Sequence, residues 1–226
     1  MPEKLLFNVK EIDAAISVIA NKINQDYANN PTPPLILCVM VGGMIFTSQL
    51  ALKLTIPVEM DHIQATRYNN STIGSTIKWL HYPNTTLANK DIIIVDDILD
   101  GGLTLTAIIA YCQSQNPSSI KTAVLLDKTN GRIEGGLAQA DYTGLSLDKD
   151  HYVFGFGMDC KKQGRNRNGI FARTKEDNLA IERVASPLFS SEVNSTPEEK
   201  ASENHPIETD LDMPPPPLFR QSSSGL

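Results

Sequence analysis

The sequence predicts an α/β protein whose mostly parallel sheet is flanked by helices. Two apolar runs, residues 35–41 and 92–95, have the composition of strands that are buried on both faces. Each run is followed by a glycine pair and then by a segment with the apolar spacing of a helix. Strands that alternate with helices favour a parallel sheet with crossover connections, in which ligands collect at the carboxyl ends of the strands.

The first half of the chain begins with a predicted helix over residues 9–27, for which Asn8 is a suitable N-cap. Its apolar side chains recur on one stripe: Val9, Ile12, Ile16, Ile19, Ile23 and Tyr27. A proline-rich loop follows at 29–34, then the strand 35–41, the glycine pair and a helix from Ile45 to Leu54. The glycine pair fits either an anion site or a tight turn.

A polar stretch separates the two glycine-containing units. Residues 57–63 read as a strand, and residues 76–82 read as the returning arm of a hairpin. Such a hairpin fits either a lid beside a ligand site or a solvent-exposed ribbon. Further strands are predicted after the second unit, at 122–126, 142–145 and 152–156.

The second unit, DIIIVDDILDGGLTLT at residues 91–106, carries the clearest chemistry. Glycines at the start of a helix let backbone N–H groups approach an anion such as a phosphate. Asp96 and Asp97, which would repel that phosphate, need hydroxyl donors or a divalent cation instead. A phosphorylated ribose meets both demands, with its 5′-phosphate on residues 101–104 and its diol on the acids.

The second half of the chain offers weaker signals. Lys128 lies two residues beyond the predicted strand 122–126, although a lone lysine in a loop is usually solvated. Tyr152 and Asp159 follow, with Arg165 and Arg167 soon after, and an aromatic, an acid and an arginine together suit a flat ring with a polar edge. These residue types are compatible with binding of a flat ring, but they do not by themselves identify a particular ligand.

Composition limits the classes of function. The 226 residues carry a formal net charge of −6, which argues against a general nucleic-acid binder. No signal peptide or membrane span is predicted. Three cysteines without CxxC spacing suit a reducing cytoplasm, and four histidines scattered along the sequence predict no zinc site.

The C-terminal segment differs from the rest. From Ser186 onward it holds seven acidic and two basic side chains, half of the 14 prolines and no apolar periodicity. We expect a body over residues 1–185, ending near Val184, and a disordered acidic tail over 186–226. The MPPPPLFR sequence in this tail is a candidate polyproline ligand for an unknown partner.

The central unit resembles the ribose-phosphate signature of the phosphoribosyltransferases. Together with VMVGG, HIQATRYNNST, AVLLDKTNGR and HYVFGFGMD…GRNRNGIFA, it is similar to the hypoxanthine-guanine branch of that family over about residues 35–173. The resemblance implies a type I phosphoribosyltransferase fold with a flexible flap hairpin and a small hood. It also implies Mg²⁺-dependent transfer of a phosphoribosyl group from 5-phosphoribosyl-1-pyrophosphate to a 6-oxopurine, by a homodimer or homotetramer.

The resemblance also assigns roles to residues that match the family motifs. Asp96 and Asp97 match the acids at the ribose hydroxyls and magnesium, and Asp100 matches the general base beside purine N7. The 5′-phosphate loop corresponds to Gly101, Gly102, Leu103 and Thr104, and the mobile flap to residues 66–76.

The remaining matches concern the purine and pyrophosphate. Lys128 matches the lysine that donates to the purine 6-oxo group, Tyr152 the stacking ring and Val153 a backbone contact to the base. Asp159 matches a ligand of a second magnesium ion near the purine, and the pyrophosphate contacts correspond to Gly42, Gly43 and Arg165.

Two positions depart from the family pattern. Val41 and Leu103 stand where many members carry a lysine or another polar residue, so weaker substrate binding is expected. Two other interpretations stay open: a xanthine-preferring or other purine phosphoribosyltransferase, and a non-catalytic nucleotide-binding regulator on the same fold.

Overall fold

A computed structural model describes residues 3–68, 76–148 and 151–173. Its larger sheet has six strands in the order β4-β3-β2-β5-β6-β7. The pairs β3–β2, β2–β5, β5–β6 and β6–β7 are parallel, and only β4 is antiparallel to its neighbour. The predicted mostly parallel sheet is therefore confirmed. Its strands are β2 (Leu35–Val39), β3 (Glu59–Tyr68), β4 (Thr76–His81), β5 (Asp91–Leu99), β6 (Ser119–Lys128) and β7 (Tyr142–Leu147).

Helices cover both faces of this sheet. On one face, α1 (Val9–Asp26) and α2 (Gly43–Ala51) bury Ile16 and Phe46 against Ile93 of β5. On the other face, α3 (Leu103–Ser114) buries Ile108 against the central strands. β2 and residues 92–95 of β5 are wholly apolar because both of their faces are covered.

The first helix forms as its sequence predicts. Asn8 accepts hydrogen bonds from the N–H groups of Lys10 and Glu11, while the Glu11 carboxylate accepts one from the Asn8 N–H at 2.8 Å. This reciprocal arrangement is a capping box, which fixes where the helix begins. Most of the predicted stripe faces the core, where Ile12, Ile19 and Ile23 are fully buried, whereas Val9 at the start of the helix is 39% exposed.

A smaller antiparallel sheet forms the hood beside the large one. It consists of β1 (Lys4–Phe7), β9 (Ile170–Arg173) and β8 (Tyr152–Phe154), in the order β1-β9-β8. The sequence predicted β8 but neither β1 nor β9. Each has only four residues, and each is stabilised by a partner that is distant in sequence, as in the pairing of Lys4 with Ala172.

Two strands run further than predicted, and this changes where site residues lie. β5 extends to Leu99, so Asp96 and Asp97 belong to the strand rather than to a turn. β6 ends at Lys128, so that lysine is the last strand residue rather than a loop residue. The strands are extended by tertiary contacts, because the β5–β6 ladder continues to the pairing of Leu99 with Asp127. This pairing outweighs the low strand propensity of the polar residues at the two strand ends.

The predicted hairpin is present as β3 and β4, paired from Gln64 opposite His81 to Tyr68 opposite Thr76. The return of β4 brings together two histidines that are 19 positions apart in sequence. The rings of His62 and His81 stack with centroids 4.1 Å apart. Of the predicted flap, residues 69–75 lie outside the described residues, as does the predicted tail 186–226. No helix in the described ranges is long and apolar enough to cross a membrane.

Candidate active site

A cleft of about 760 Å³ opens where the carboxyl ends of the parallel strands meet the hood. Nearly all of the side chains selected from the sequence line it. They are Gly42, Asp96, Asp97, Asp100, Gly101, Gly102, Leu103, Thr104, Lys128, Tyr152, Val153, Asp159 and Arg165. The exception is Gly43, which is buried behind the wall against the backbone of Val95 and Asp96.

The loop between β5 and α3 has the backbone geometry of an anion site. Gly102 is the N-cap of α3 and has a φ of 83°, which favours glycine. A Cβ atom there would also lie 2.5 Å from the Leu137 nitrogen, so no side chain fits. The first N–H groups of α3 have no partner within the helix and face the end that favours negative charge. The predicted phosphate loop 101–104 is thus a helix N-terminus that opens onto the cleft.

Hydrogen bonds on the side away from the cleft fix two carbonyl groups of this loop. Gly101 O accepts from the Ile133 N–H at 3.2 Å, and Gly102 O accepts from the Leu137 N–H at 3.3 Å. The Thr106 hydroxyl also donates to Gly102 O, at 3.1 Å. Segment 133–137 therefore fixes the shape of the loop before any ligand binds.

Asp96 and Asp97 form a crowded acidic pair at the end of β5. Burial together with repulsion between the two carboxylates raises the pKa of Asp96 well above its usual value, and burial raises that of Asp97. The backbone leaves little room beside them, because a Cβ atom on Gly42 would overlap the Asp97 carboxylate. When both acids are ionised their negative charges repel each other, so the pair is suited to bind a cation or hydroxyl donors.

The oxygen donors of this pair fit Mg²⁺, which prefers carboxylate oxygens and water. Asp159, the third predicted metal ligand, has another arrangement. Its Oδ1 atom lies 2.6 Å from Arg165 Nη2, and its Oδ2 atom accepts from the Lys162 N–H at 2.7 Å. Both oxygens of Asp159 are therefore engaged within its own loop, and the acids of β5 are the better match to the cation.

An ion pair joins the predicted general base to the predicted purine lysine. Lys128 Nζ lies 3.2 Å from Asp100 Oδ1, with the lysine side chain 11% exposed and the aspartate side chain 49% exposed. β5 and β6 are adjacent and parallel, so their ends place these two residues side by side. The pair presents one cationic donor and one anionic acceptor to the cleft.

Arg132 is a site residue that the sequence analysis missed. Its Nη1 donates to the carbonyl oxygens of Leu99, Asp100 and Lys128 at 3.0, 2.8 and 2.9 Å. Nε donates to the Ala138 carbonyl at 2.9 Å, and Nη2 pairs with the Asp127 carboxylate. One guanidinium thus ties together the strand ends that carry Asp100 and Lys128. In the sequence, Arg132 ends the AVLLDKTNGR segment that carries part of the resemblance, but neither its chemistry nor the resemblance gave it a role.

The hood supplies a further part of the cleft wall through Tyr152 and Val153. Tyr152 is 42% exposed, and its hydroxyl donates to the Asp159 carbonyl at 3.2 Å. Val153 is buried and pairs with Ala172 of β9. β8 is an edge strand of the described hood sheet, so part of its backbone faces away from β9. An exposed aromatic ring and a strand edge meet the predicted requirements for a planar base.

The predicted pyrophosphate contacts lie at the end of β2 and in the hood. Gly42 lines the cleft after the cis peptide between Met40 and Val41, and Val41 itself is 40% exposed. Arg165 donates to the Gly157 carbonyl at 2.6 Å in addition to its pair with Asp159. The guanidinium lines the cleft while two groups of its own segment hold it in place.

Comparison with known proteins agrees with this geometry. A model of the phosphoribosyl transferase domain matches residues 6–163. The hypoxanthine-guanine phosphoribosyltransferase of Bacillus subtilis (strain 168) is 32% identical over 165 residues, which are 73% of this chain and 89% of that protein. The enzyme of the same name from Leishmania donovani is 32% identical over 184 residues, covering 78% of this chain and 86% of that protein.

Solved structures give the same result. A hypoxanthine phosphoribosyl transferase of Trypanosoma cruzi has a TM-score of 0.72 and 29% identity, covering 80% of this chain and 95% of that chain. A hypoxanthine phosphoribosyltransferase from Staphylococcus aureus has a TM-score of 0.70 and 26% identity, covering 77% and 92%. With this agreement in sequence and fold, the chain belongs to the phosphoribosyltransferase family, among the hypoxanthine-guanine phosphoribosyltransferases.

Proposed function

We propose that this protein is an enzyme of purine salvage in the cytoplasm. It transfers the 5-phosphoribosyl group of 5-phosphoribosyl-1-pyrophosphate to hypoxanthine or guanine, which gives IMP or GMP and pyrophosphate. The observation that carries this proposal is the Asp100–Lys128 pair beside the N-terminus of α3. The free, buried cysteines Cys38, Cys112 and Cys160 are compatible with a reducing compartment.

The Asp100–Lys128 pair complements the edge of a 6-oxopurine. In guanine this edge presents oxygen O6 and nitrogen N7 side by side, whereas adenine presents an amino group in place of O6. A free base protonated at N7 offers its N–H to the Asp100 carboxylate while O6 accepts from Lys128. Adenine would place an amino donor against the lysine, which is itself only a donor. The proposal therefore selects hypoxanthine and guanine over adenine.

The phosphoribosyl group occupies the opposite side of the cleft. Its 5′-phosphate binds the N-terminus of α3 at residues 101–104, and its hydroxyls bind at Asp96 and Asp97. Mg²⁺ would be held by Asp96 and Asp97, with Asp159 as the further ligand that the family resemblance implies, and would neutralise charge on the leaving pyrophosphate.

The remaining residues act on the reacting groups. Gly42 and Arg165, which line the cleft, position the pyrophosphate, so that its developing charge meets donors fixed in advance. Gly43 acts from behind the cleft wall, where it lets α2 begin against the backbone of β5. Asp100 takes the proton from purine N7 as N9 forms its bond to the ribose. Tyr152 stacks on the purine, and the backbone of Val153 contacts its edge. Closure of the β3–β4 hairpin excludes water, which would otherwise capture the activated ribose.

The first test is a spectrophotometric assay with 5-phosphoribosyl-1-pyrophosphate and Mg²⁺. Hypoxanthine, guanine, xanthine and adenine are offered separately. Turnover of the first two, lost on chelation and restored by Mg²⁺, is the expected result. Preference for xanthine would favour the alternative purine enzyme. Binding of 5-phosphoribosyl-1-pyrophosphate without turnover of any base would favour a non-catalytic regulator, with Val41 and Leu103 as the departures from the family pattern.

A second test concerns the proton acceptor. Replacing Asp100 with Ala removes the carboxylate, and we expect the turnover rate to fall about 10²- to 10⁴-fold, the usual contribution of general acid–base catalysis. Asp148→Ala, in an exposed position, is the matched control and should leave the rate unchanged. An unaltered turnover rate in the Asp100→Ala enzyme would remove Asp100 from the mechanism.

A third test concerns base selection. Lys128→Gln exchanges a charged donor for a neutral amide that both donates and accepts. Loss of a charged hydrogen bond worth about 1.5–3 kcal/mol lowers kcat/KM for hypoxanthine by roughly 10- to 150-fold. The adenine rate should not fall with it, so the ratio of the two kcat/KM values moves toward adenine. Lys22→Gln, an exposed change on α1, is the control.

The organisation of the chain completes the proposal. Residues 1–185 form the catalytic domain, and residues 186–226 form an acidic appendage. Truncation after Val184 should therefore retain full activity.

We propose a homodimer or homotetramer, since large apolar side chains such as Met44 and Met60 are 47% and 53% exposed. Light scattering on the purified full chain gives the oligomeric state directly.

A further inference from the structure

Three side chains outside the cleft place nitrogen and oxygen atoms that can bind a metal ion close together, at the end of the β3–β4 ladder. They are Asp61 and His62 of β3 and His81 of β4. One donor atom from each lies within 4.8 Å of the other two. Within residues 3–68, 76–148 and 151–173, no other three His, Cys, Asp or Glu side chains come as close together.

The end of a strand ladder creates this cluster. β3 and β4 pair only from Gln64 onward, opposite His81, which is the last residue of β4. Asp61 and His62 lie just beyond that point, where Asp61 contacts Thr85 in the chain after β4 and the His62 ring lies against the His81 ring. The two imidazole rings stack with an angle of 3° between their planes.

The carboxylate of Asp61 is fixed by the backbone. Its side chain is 7% exposed, Oδ1 accepts from the His62 N–H and Oδ2 accepts from the Thr85 N–H, both at 2.7 Å. Asp61 is thus a positioned anion, with His62 Nδ1 3.5 Å from its Oδ1.

His81 provides an independent indication. Its Nε2 atom is buried and has no hydrogen-bond partner. A buried polar atom without a partner is unfavourable and calls for a bound water, an ion or another explanation. The side chain of His62 is 42% exposed, so solvent reaches the cluster from that side.

We propose that Asp61, His62 and His81 bind a divalent transition-metal ion of the zinc class. Two imidazoles and one carboxylate suit Zn²⁺, Ni²⁺ or Cu²⁺, whereas Mg²⁺ is bound mainly by oxygen. The site is chemically distinct from the acids of β5 and does not depend on the proposed transferase reaction. Water completes the coordination.

Binding requires a small rearrangement. Tetrahedral Zn²⁺ with bonds of about 2.1 Å places its ligand atoms roughly 3.4 Å apart. The ligand atoms, which lie within 4.8 Å of one another, must therefore approach by up to about 1.4 Å, and the rings must turn so that their lone pairs converge. The exposed His62 ring turns most freely, while Asp61 is already held. The bound ion links β3 to β4, the two strands that contribute Gln64 and Leu80 to the cleft wall.

The test is calorimetric titration of the full chain with Zn²⁺ after chelator treatment. Excess Mg²⁺ is present throughout, so that carboxylate sites are occupied. We expect His62→Ala and His81→Ala each to weaken Zn²⁺ binding at least tenfold. The matched controls, His151→Ala and His205→Ala, should bind as the unaltered protein does. Co²⁺ should give the intense visible bands of a tetrahedral site, and His62→Ala should abolish them.

Other results would overturn the proposal. Unchanged Zn²⁺ affinity in the double variant His62→Ala/His81→Ala, or no measurable Zn²⁺ binding by the unaltered protein, would show that no such site exists. If the histidine variants misfold, two further measurements decide whether the metal site exists. Asp61→Asn should weaken binding while its amide oxygen still accepts a backbone hydrogen bond. Electron paramagnetic resonance of Cu²⁺ on the unaltered chain should show two coupled nitrogens, and fewer than two would refute the site.

Discussion

Arg132 offers the sharpest test of how the active-site geometry is maintained. Its guanidinium contacts the carbonyls of Leu99, Asp100 and Lys128 and pairs with Asp127. The Arg132 and Asp127 side chains are only 20% and 9% exposed. Removing one partner of a buried ion pair costs about 3–5 kcal/mol, because the other charge is left uncompensated. We therefore expect Arg132→Met to lower the free energy of unfolding by that amount.

The substitution Arg132→Lys tests the contribution of the positive charge separately from that of the guanidinium geometry. An ammonium group keeps the attraction to Asp127 but lacks the planar fork that reaches several carbonyls at once. Arg132→Lys should therefore cost less stability, about 1–3 kcal/mol for the carbonyls left without a donor. Its turnover rate should still fall on the order of 100-fold, since a displacement of about 1 Å at the reacting groups has an effect of that size.

The assay combines urea unfolding with initial rates at a temperature where each variant is folded. Arg173→Lys, a change at an arginine of β9 that does not line the cleft, is the matched control. Added methylguanidinium should restore part of the rate of Arg132→Ala, whereas a general loss of stability would not respond to it. Wild-type turnover in Arg132→Lys would refute the positioning role.

Three further predictions follow from the described contacts. Gly42→Ala should lower kcat/KM at least tenfold while retaining the fold, because its Cβ would overlap the Asp97 carboxylate; initial rates and circular dichroism check this. Ile16→Ala should lower the free energy of unfolding in urea by about 2–5 kcal/mol, as for other fully buried isoleucines. Asp26 has a lowered pKa, because it accepts hydrogen bonds from the Tyr142 hydroxyl at 2.6 Å and Lys121 at 2.9 Å. Its stabilisation is complete above the ordinary value of 3.8 and is lost as the pH falls below it, so Asp26→Asn should flatten the acid limb of the stability profile. At 43% exposure this effect should stay below about 1 kcal/mol.

The sequence determined the α/β class and most of the cleft by itself. Apolar runs long enough for buried strands, followed by glycines and amphipathic helices, are local patterns that a parallel sheet requires. Because parallel strands end at one edge, residues after different strands meet there whatever their separation in sequence. Asp100 and Lys128 were brought together by this rule, at 3.2 Å.

Only the tertiary structure decided the features that depend on partners distant in sequence. β1 and β9 exist because they pair with each other, and β5 continues through Asp96 and Asp97 because β6 runs beside it. The carbonyl groups gathered by Arg132 come from separate segments that no sequence motif connects.

The histidines illustrate the same limit. His62 and His81 are isolated residues in the sequence, which predicted no transition-metal site from them. The antiparallel return of β4 stacks their rings at 4.1 Å and places Asp61 beside them. Sequence patterns report the environment of one residue at a time, whereas a cluster depends on where two strands stop pairing. That end point is fixed by packing of the whole sheet.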